Sequence, residues 1–132
     1  MARILLIDDD NAVRTMLRQT LAYFGHTVIE ARNGKEGLDS FAVARPDLVI
    51  TDIVMPEKEG LEVLMELRNK QPPVKIIAMS GGGRQSAMDY LRIAKHLGAA
   101  KTLAKPFSNE ALLAAINELL QADEAPAPLG PA

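Results

Sequence analysis

Residues 4–10 read Ile-Leu-Leu-Ile-Asp-Asp-Asp, so four consecutive apolar residues are followed directly by three acids. A short, continuous apolar run predicts a strand that is buried on both faces, as in a parallel sheet. Beyond the acids, the apolar residues Val13, Leu17, Leu21 and Phe24 recur at helical spacing. The start of the chain therefore predicts a buried strand followed by an amphipathic helix.

The same alternation continues along the chain. Four further strands are predicted, at residues 26–31, 48–51, 74–79 and 99–104, and each is followed by a stretch with helical spacing. Strict alternation of strands and helices indicates an α/β fold with a parallel sheet and helices on both of its faces.

The folded part is expected to span residues 1–121 as one domain. From Ala122 the composition shifts, and the last residues contain Pro126, Pro128 and Pro131. We expect residues 122–132 to form a disordered tail rich in proline and alanine.

The composition of the 132-residue chain excludes several classes of function. No cysteine is present, which excludes disulfides, thiolate zinc sites and thiol catalysis, and only two histidines are available for a metal site. A net charge of −2 argues against direct nucleic-acid binding. The first apolar run is too short for a signal peptide or a membrane span, so no membrane insertion and a cytoplasmic location are expected.

Polar residues occupy the predicted strand ends, where open parallel sheets bind their ligands. These residues are Asp8 and Asp9, Asp52, Ser80 and Lys105. Carboxylates at one edge repel each other unless a cation neutralises them, and Mg²⁺ is the natural oxygen-seeking cation. A lysine and a hydroxyl beside them can bind a phosphoryl oxygen, so the set predicts phosphoryl transfer to an aspartate.

A simpler interpretation of the acidic run is helix capping, because an aspartate at a strand end often caps the next helix. Three adjacent aspartates need only one cap, however. Capping therefore leaves two of the three acids unexplained, as well as the polar residues at the other strand ends.

The ordered set of motifs resembles the receiver domains of two-component response regulators, over residues 1–121. The motifs are Asp8-Asp9, Asp52-Ile53-Val54-Met55-Pro56 with Gly60, Ser80, and Lys105-Pro106-Phe107. The resemblance implies a flavodoxin-like, doubly wound five-stranded sheet with strand order 2-1-3-4-5. It also implies a phosphoacceptor signalling domain that assists its own phosphorylation and dephosphorylation, and not an enzyme in the usual sense.

The resemblance also implies a role for each acid. Asp52 would be the phosphoacceptor, and Mg²⁺ would be held by Asp9, Asp52 and the backbone carbonyl of Val54. Asp8 would contribute through a water molecule.

Lys105 would pair with the phosphoryl group, and Ser80 would bind it after activation. Many receivers carry a tyrosine or phenylalanine three residues before the lysine, and here that position is Thr102. We therefore expect the Ser80 loop, which continues into Gly81–Gly83, to act as the switch in place of an aromatic ring.

The resulting hypothesis is a stand-alone receiver that accepts a phosphoryl group from a sensor histidine kinase or a histidine phosphotransfer protein. It would signal by binding a downstream protein target, or pass the group on as a phosphorelay intermediate. One alternative is a haloacid-dehalogenase-like phosphatase that uses Asp8 and Asp10 as its D-x-D motif. It is disfavoured because no acidic pair lies between Lys105 and the predicted tail at residues 122–132. Another alternative is a receiver-like module that is never phosphorylated.

Overall fold

A computed structural model of the chain describes residues 2–53, 60–70, 74–81 and 91–124. The strands are β1 (Arg3–Ile7), β2 (Thr27–Ala31), β3 (Leu48–Asp52), β4 (Lys75–Ser80) and β5 (Lys101–Ala104). The helices are α1 (Asn11–Tyr23), α2 (Gly34–Ala44), α3 (Gly60–Arg68), α4 (described over residues 91–96) and α5 (Asn109–Glu124).

The five strands form one parallel sheet in the order β2-β1-β3-β4-β5. Leu5 of β1 lies opposite Val49 of β3, which in turn lies opposite Ile76 of β4. The sheet confirms both the predicted fold class and the predicted strand order.

Alternate residues of the central strands supply two separate hydrophobic cores. On one face, Leu5 and Val49 pack with residues of α2, α3 and α4. On the other face, Leu6 and Ile50 pack with residues of α1 and α5, such as Leu17 and Ile116. Both faces of the sheet are thus covered, which explains why the strands read as continuous apolar runs rather than as alternating ones.

Some boundaries differ from those predicted. Strand β5 begins at Lys101 and not at Ala99, because the Ala99 N–H donates to the Ala94 carbonyl and closes the turn after α4. Phe24, predicted on the buried stripe of α1, is instead 52% exposed and contacts Tyr23 edge-to-face.

Helix α5 continues to Glu124, three residues beyond the predicted end of the folded part at Gln121. The remainder of the predicted tail, residues 125–132, lies outside the described residues.

Candidate functional site

The turn after β1 gives the first and the third acid of the run different surroundings. Asp10 is the N-cap of α1, where its Oδ1 accepts hydrogen bonds from the N–H groups of Ala12 and Val13. Asp8 is fully buried, and its Oδ1 accepts a hydrogen bond from the Asp10 N–H at 2.9 Å. Helix capping is therefore carried out by Asp10, and it does not account for the other two acids of the run.

Three carboxylates converge at the carboxyl edge of the sheet. Asp8 and Asp9 follow β1, and Asp52 is the last residue of the neighbouring strand β3. One carboxylate oxygen from each lies within 4.8 Å of the others. Asp8 and Asp52 are buried while Asp9 is exposed, so the cluster extends from the protein interior to the surface, which it reaches at Asp9.

Lys105, which follows β5, connects two of these acids. Its Nζ donates to Asp8 Oδ2 at 2.8 Å and to Asp52 Oδ2 at 3.1 Å. Burial alone would lower the pKa of Lys105, but its hydrogen bond to Asp8 and the charges of Asp52 and Asp8 outweigh burial and raise the pKa. Lys105 is therefore positively charged at neutral pH.

Gly81 allows the lysine to take this path. A Cβ built on Gly81 would lie 3.1 Å from Lys105 Cδ, which is tighter than an ordinary van der Waals contact. The missing side chain thus leaves room for the aliphatic stem of Lys105 to reach the acids.

Ser80, the last residue of β4, places an unsatisfied hydroxyl in this part of the sheet. The residue is fully buried, and within the described ranges its Oγ is the one buried side-chain polar atom without a hydrogen-bond partner. An unsatisfied buried hydroxyl costs about 1–3 kcal/mol. Such an atom beside an acid–lysine cluster indicates a site that is completed by a ligand.

The cluster fits a hard divalent cation. All of its side-chain donors are carboxylate oxygens, which are the ligands that Mg²⁺ prefers. One ammonium among three carboxylates leaves an excess of two negative charges, which a divalent cation balances. Val54, whose carbonyl was predicted as a further ligand, lies outside the described residues.

The two predicted switch positions lie on neighbouring strands. Ser80 of β4 is paired with Ala104 of β5, and Thr102 is paired with Ala78, two residues back along both strands. Thr102 is half-buried, and its role as a switch position stays a prediction. Gly82 and Gly83 of the predicted mobile loop lie outside the described residues.

Sequence reasoning missed Arg14, which is only 8% exposed. It lies on the buried side of α1 with Leu17 and Leu21, three and seven residues before them. The sequence does contain a signal, namely a charged residue in phase with the apolar residues of α1. A charged residue at a buried position needs a partner, because a cation is buried only when it is paired. The contacts of Arg14 reach the turn that carries Asp8.

A doubly wound sheet with an acid–lysine–hydroxyl site at its carboxyl edge is typical of α/β domains that bind their ligands at that edge. The family model for the response regulator receiver domain matches residues 4–117. The chain therefore belongs to the receiver family, whose members are the phosphorelay signalling modules of two-component regulatory systems.

Named relatives agree with this assignment. The response regulator MprA of Mycolicibacterium vanbaalenii is 42% identical over 120 residues, covering 90% of this chain and 50% of that protein. The MprA of Mycobacterium avium is 41% identical, with 90% and 51% covered. The chain thus spans about half the length of the curated relatives it matches.

Solved structures agree as well. A response regulator receiver domain protein from Clostridium thermocellum superposes with a TM-score of 0.86 at 31% identity, covering 94% of this chain and 98% of that one. The chemotaxis response regulator CheY4 of Vibrio cholerae superposes with a TM-score of 0.78 at 30% identity, with 90% and 98% covered.

Family membership excludes the haloacid-dehalogenase alternative. The geometry supplies a physical reason, because the Asp10 carboxylate that this alternative needs is engaged in capping α1. Among the described helices, none has the length and hydropathy needed to cross a membrane.

Proposed function

We propose that Asp52 accepts a phosphoryl group from the phosphohistidine of a sensor histidine kinase or a histidine phosphotransfer protein. The observation that carries the proposal is the joint contact of Lys105 with Asp52 and Asp8, within a cluster of three carboxylates. A carboxylate can attack a phosphoryl dianion only where local negative charge is neutralised. The ammonium of Lys105 supplies part of that neutralisation.

In the proposed transfer, an Asp52 carboxylate oxygen forms a bond to phosphorus while the phosphorus–nitrogen bond to the donor imidazole breaks. The imidazole nitrogen keeps the electron pair of that bond, and the product is an aspartyl phosphate. Lys105 holds its proton throughout and pairs with a phosphoryl oxygen, and the Ser80 hydroxyl, which has no partner among the described residues, donates to another. When bound, Mg²⁺ would neutralise charge on the transferring group.

We infer that Mg²⁺ is held by Asp9, Asp52 and the Val54 carbonyl, with Asp8 acting through a water molecule. An indirect role suits Asp8 because each of its carboxylate oxygens already accepts a hydrogen bond, one from the Asp10 N–H and one from Lys105. Asp9 is exposed and therefore accessible to a hydrated ion.

The proposed output is a contact with a downstream protein, or transfer of the group along a phosphorelay. Phosphorylation adds negative charge and acceptor oxygens at Asp52, which would draw the Ser80 hydroxyl toward them. Thr102 has no ring to fill space that such a movement leaves. A few kcal/mol of differential interaction moves a two-state equilibrium of this kind. The stand-alone form and the cytoplasmic location stay predictions.

A labelling experiment tests the phosphoacceptor. The protein is incubated with acetyl phosphate, with Mg²⁺ or with a chelator, and aspartyl phosphate is detected by intact mass. We expect label only with Mg²⁺, and none in Asp52→Asn. The matched control is Asp39→Asn, which makes the same change at an exposed position of α2 and should be labelled fully. Full labelling of Asp52→Asn would contradict the proposal, and no labelling of the wild type would favour a receiver-like module that is never phosphorylated.

A second experiment tests the switch. Ser80→Ala should still be phosphorylated at Asp52 but should bind its phosphorylation-dependent partner weakly. Thr102→Tyr should alter partner affinity while changing the phosphorylation rate little. The partner is first captured with beryllofluoride-loaded protein. Intact phosphorylation-dependent binding by Ser80→Ala would show that the Ser80 loop is not the switch.

A further inference from the structure

Arg14 is a buried cation that the phosphoryl chemistry does not use. Its NH1 donates to the backbone carbonyl of Asp8 at 2.7 Å, and its NH2 donates to Asn11 Oδ1 at 2.6 Å. Its Nε donates to Glu30 Oε1 of β2 at 3.1 Å. One planar guanidinium therefore joins the beginning and the end of the turn after β1, and ties that turn to the neighbouring strand.

Asp9 lies between the two points that Arg14 holds. In the described part of the chain, no hydrogen bond to the exposed Asp9 carboxylate is observed, in contrast to Asp8 and Asp10. The position of the Asp9 carboxylate is therefore determined by the main chain around it. Arg14 holds that main chain directly at the Asp8 carbonyl, and it also holds the side chain of Asn11, the first residue of α1.

We propose that Arg14 is a positioning residue for the cation site: by clamping the turn of residues 8–11, it places Asp9 for binding Mg²⁺. The inference rests on the proposed role of Asp9 and deepens it. Groups that orient metal ligands typically contribute about tenfold or more to metal affinity.

Positioning and simple electrostatics predict opposite results for this residue. Arg14 is a cation close to a cluster with excess negative charge, so its charge alone repels Mg²⁺. If only charge mattered, replacing Arg14 by a neutral residue would tighten Mg²⁺ binding. If Arg14 acts by clamping the turn, the same replacement weakens binding.

Arg18 provides a matched control. Its Nε pairs with the other oxygen of the same carboxylate, Glu30 Oε2, also at 3.1 Å. In the described part of the structure, no contact between Arg18 and the turn of residues 8–11 is observed. Arg14→Gln and Arg18→Gln therefore remove the same charge and the same kind of ion pair, but only the first releases the turn.

The experiment measures Mg²⁺ affinity without phosphorylation, by NMR titration of the backbone amides with MgCl₂, and confirms it with Mn²⁺ by EPR. We expect Arg14→Gln to weaken binding by about tenfold and Arg18→Gln to leave it within about twofold. Arg14→Lys keeps the charge but lacks the planar fork, so it should also weaken binding. This conservative variant serves if Arg14→Gln does not fold.

The outcomes separate this inference from the proposed function. Mg²⁺ affinity in both Arg14 variants that equals the wild-type value would overturn the positioning role, even if their thermal stability falls. Tighter binding in Arg14→Gln would assign Arg14 an electrostatic effect only. If the wild type itself does not bind Mg²⁺, the proposed function fails.

Discussion

Replacing Lys105 by methionine tests whether one ammonium neutralises both buried acids. The change keeps much of the aliphatic volume but removes the donor that contacts Asp8 at 2.8 Å and Asp52 at 3.1 Å. The two carboxylates, 0% and 8% exposed, then lose their counter-charge. We expect the folded state to be destabilised in the absence of divalent cations.

The magnitude follows from the burial of the three groups. Removing one partner of a buried ion pair costs about 3–5 kcal/mol, whereas an exposed pair is worth about 0–1 kcal/mol. The Lys105 side chain is 19% exposed, which places this site between those limits, at about 2–3 kcal/mol. For a domain of this length, that loss lowers Tm by about 10 °C.

Mg²⁺ should restore much of this loss. The variant leaves three carboxylates without an ammonium, so its site attracts a divalent cation more strongly than the wild-type site does. A ligand at about 100 times its Kd stabilises the native state by about 2.7 kcal/mol. The Mg²⁺-dependent rise in Tm should therefore be larger in Lys105→Met than in the wild type.

The assay is thermal unfolding followed by circular dichroism, with MgCl₂ or with a chelator. Lys101→Met is the control, because Lys101 begins β5, the strand that Lys105 follows, and pairs with Glu118 through side chains that are 37% and 60% exposed. That variant should lose at most about 1 kcal/mol and should respond to Mg²⁺ like the wild type. The reasoning is refuted if Lys105→Met is no less stable than Lys101→Met, or if Mg²⁺ stabilises it no more than the wild type.

Two further predictions concern the elements around the site. A Cβ at Gly60 would lie 2.6 Å from the Ile53 carbonyl oxygen, which is backbone, whereas the three atoms nearest to a Cβ at Gly37 all belong to the Ile7 side chain. Gly60→Ala should therefore lower the free energy of unfolding by about 3 kcal/mol, measured by urea titration, and should slow the labelling of Asp52. Gly37→Ala should lower the free energy of unfolding by less. Equal losses of unfolding free energy in the two variants would contradict this prediction. Hydrogen bonds from Arg32 lower the pKa of Glu36 to about 2. The stabilisation of the folded state by this exposed pair is therefore fully present above the ordinary glutamate pKa, and it is lost as the pH falls toward 2. NMR titration should find that pKa, and Arg32→Gln should return it to the ordinary range; an ordinary value in the wild type would show that the pair does not form.

Most of the fold could be predicted because the central strands are buried on both faces. That burial produces the apolar runs of β1, β3 and β4, and the runs are visible without any structure. The weak point was β5, whose exposed and half-buried residues carry no such run. Its start was placed two residues too early because Ala99 and Ala100 belong to the turn after α4, where hydrogen bonding rather than hydropathy sets the boundary.

The grouping of the site residues could also be predicted, because parallel strands bring their carboxyl ends to one edge. Arg14 could not be assigned in this way. Its side chain acts on a backbone carbonyl and on a polar side chain of the preceding turn, and neither contact leaves a sequence motif. A charged residue in phase with Leu17 and Leu21 shows only that it needs a buried partner, not which one.

The three consecutive aspartates show where sequence reasoning ends. Asp8, Asp9 and Asp10 are chemically identical, and their order does not state which one caps α1. The backbone decides: Asp10 has extended dihedral angles at the N-cap, and the Asp8 N–H is held by the Ala31 carbonyl of β2. Asp8 is thereby buried against Lys105, and Asp9 is left exposed at the edge of the cluster. The conformation of one turn thus gives three chemically identical side chains three different roles: Asp10 caps α1, Asp8 pairs with Lys105, and Asp9 is proposed to bind Mg²⁺. Arg14 holds this turn.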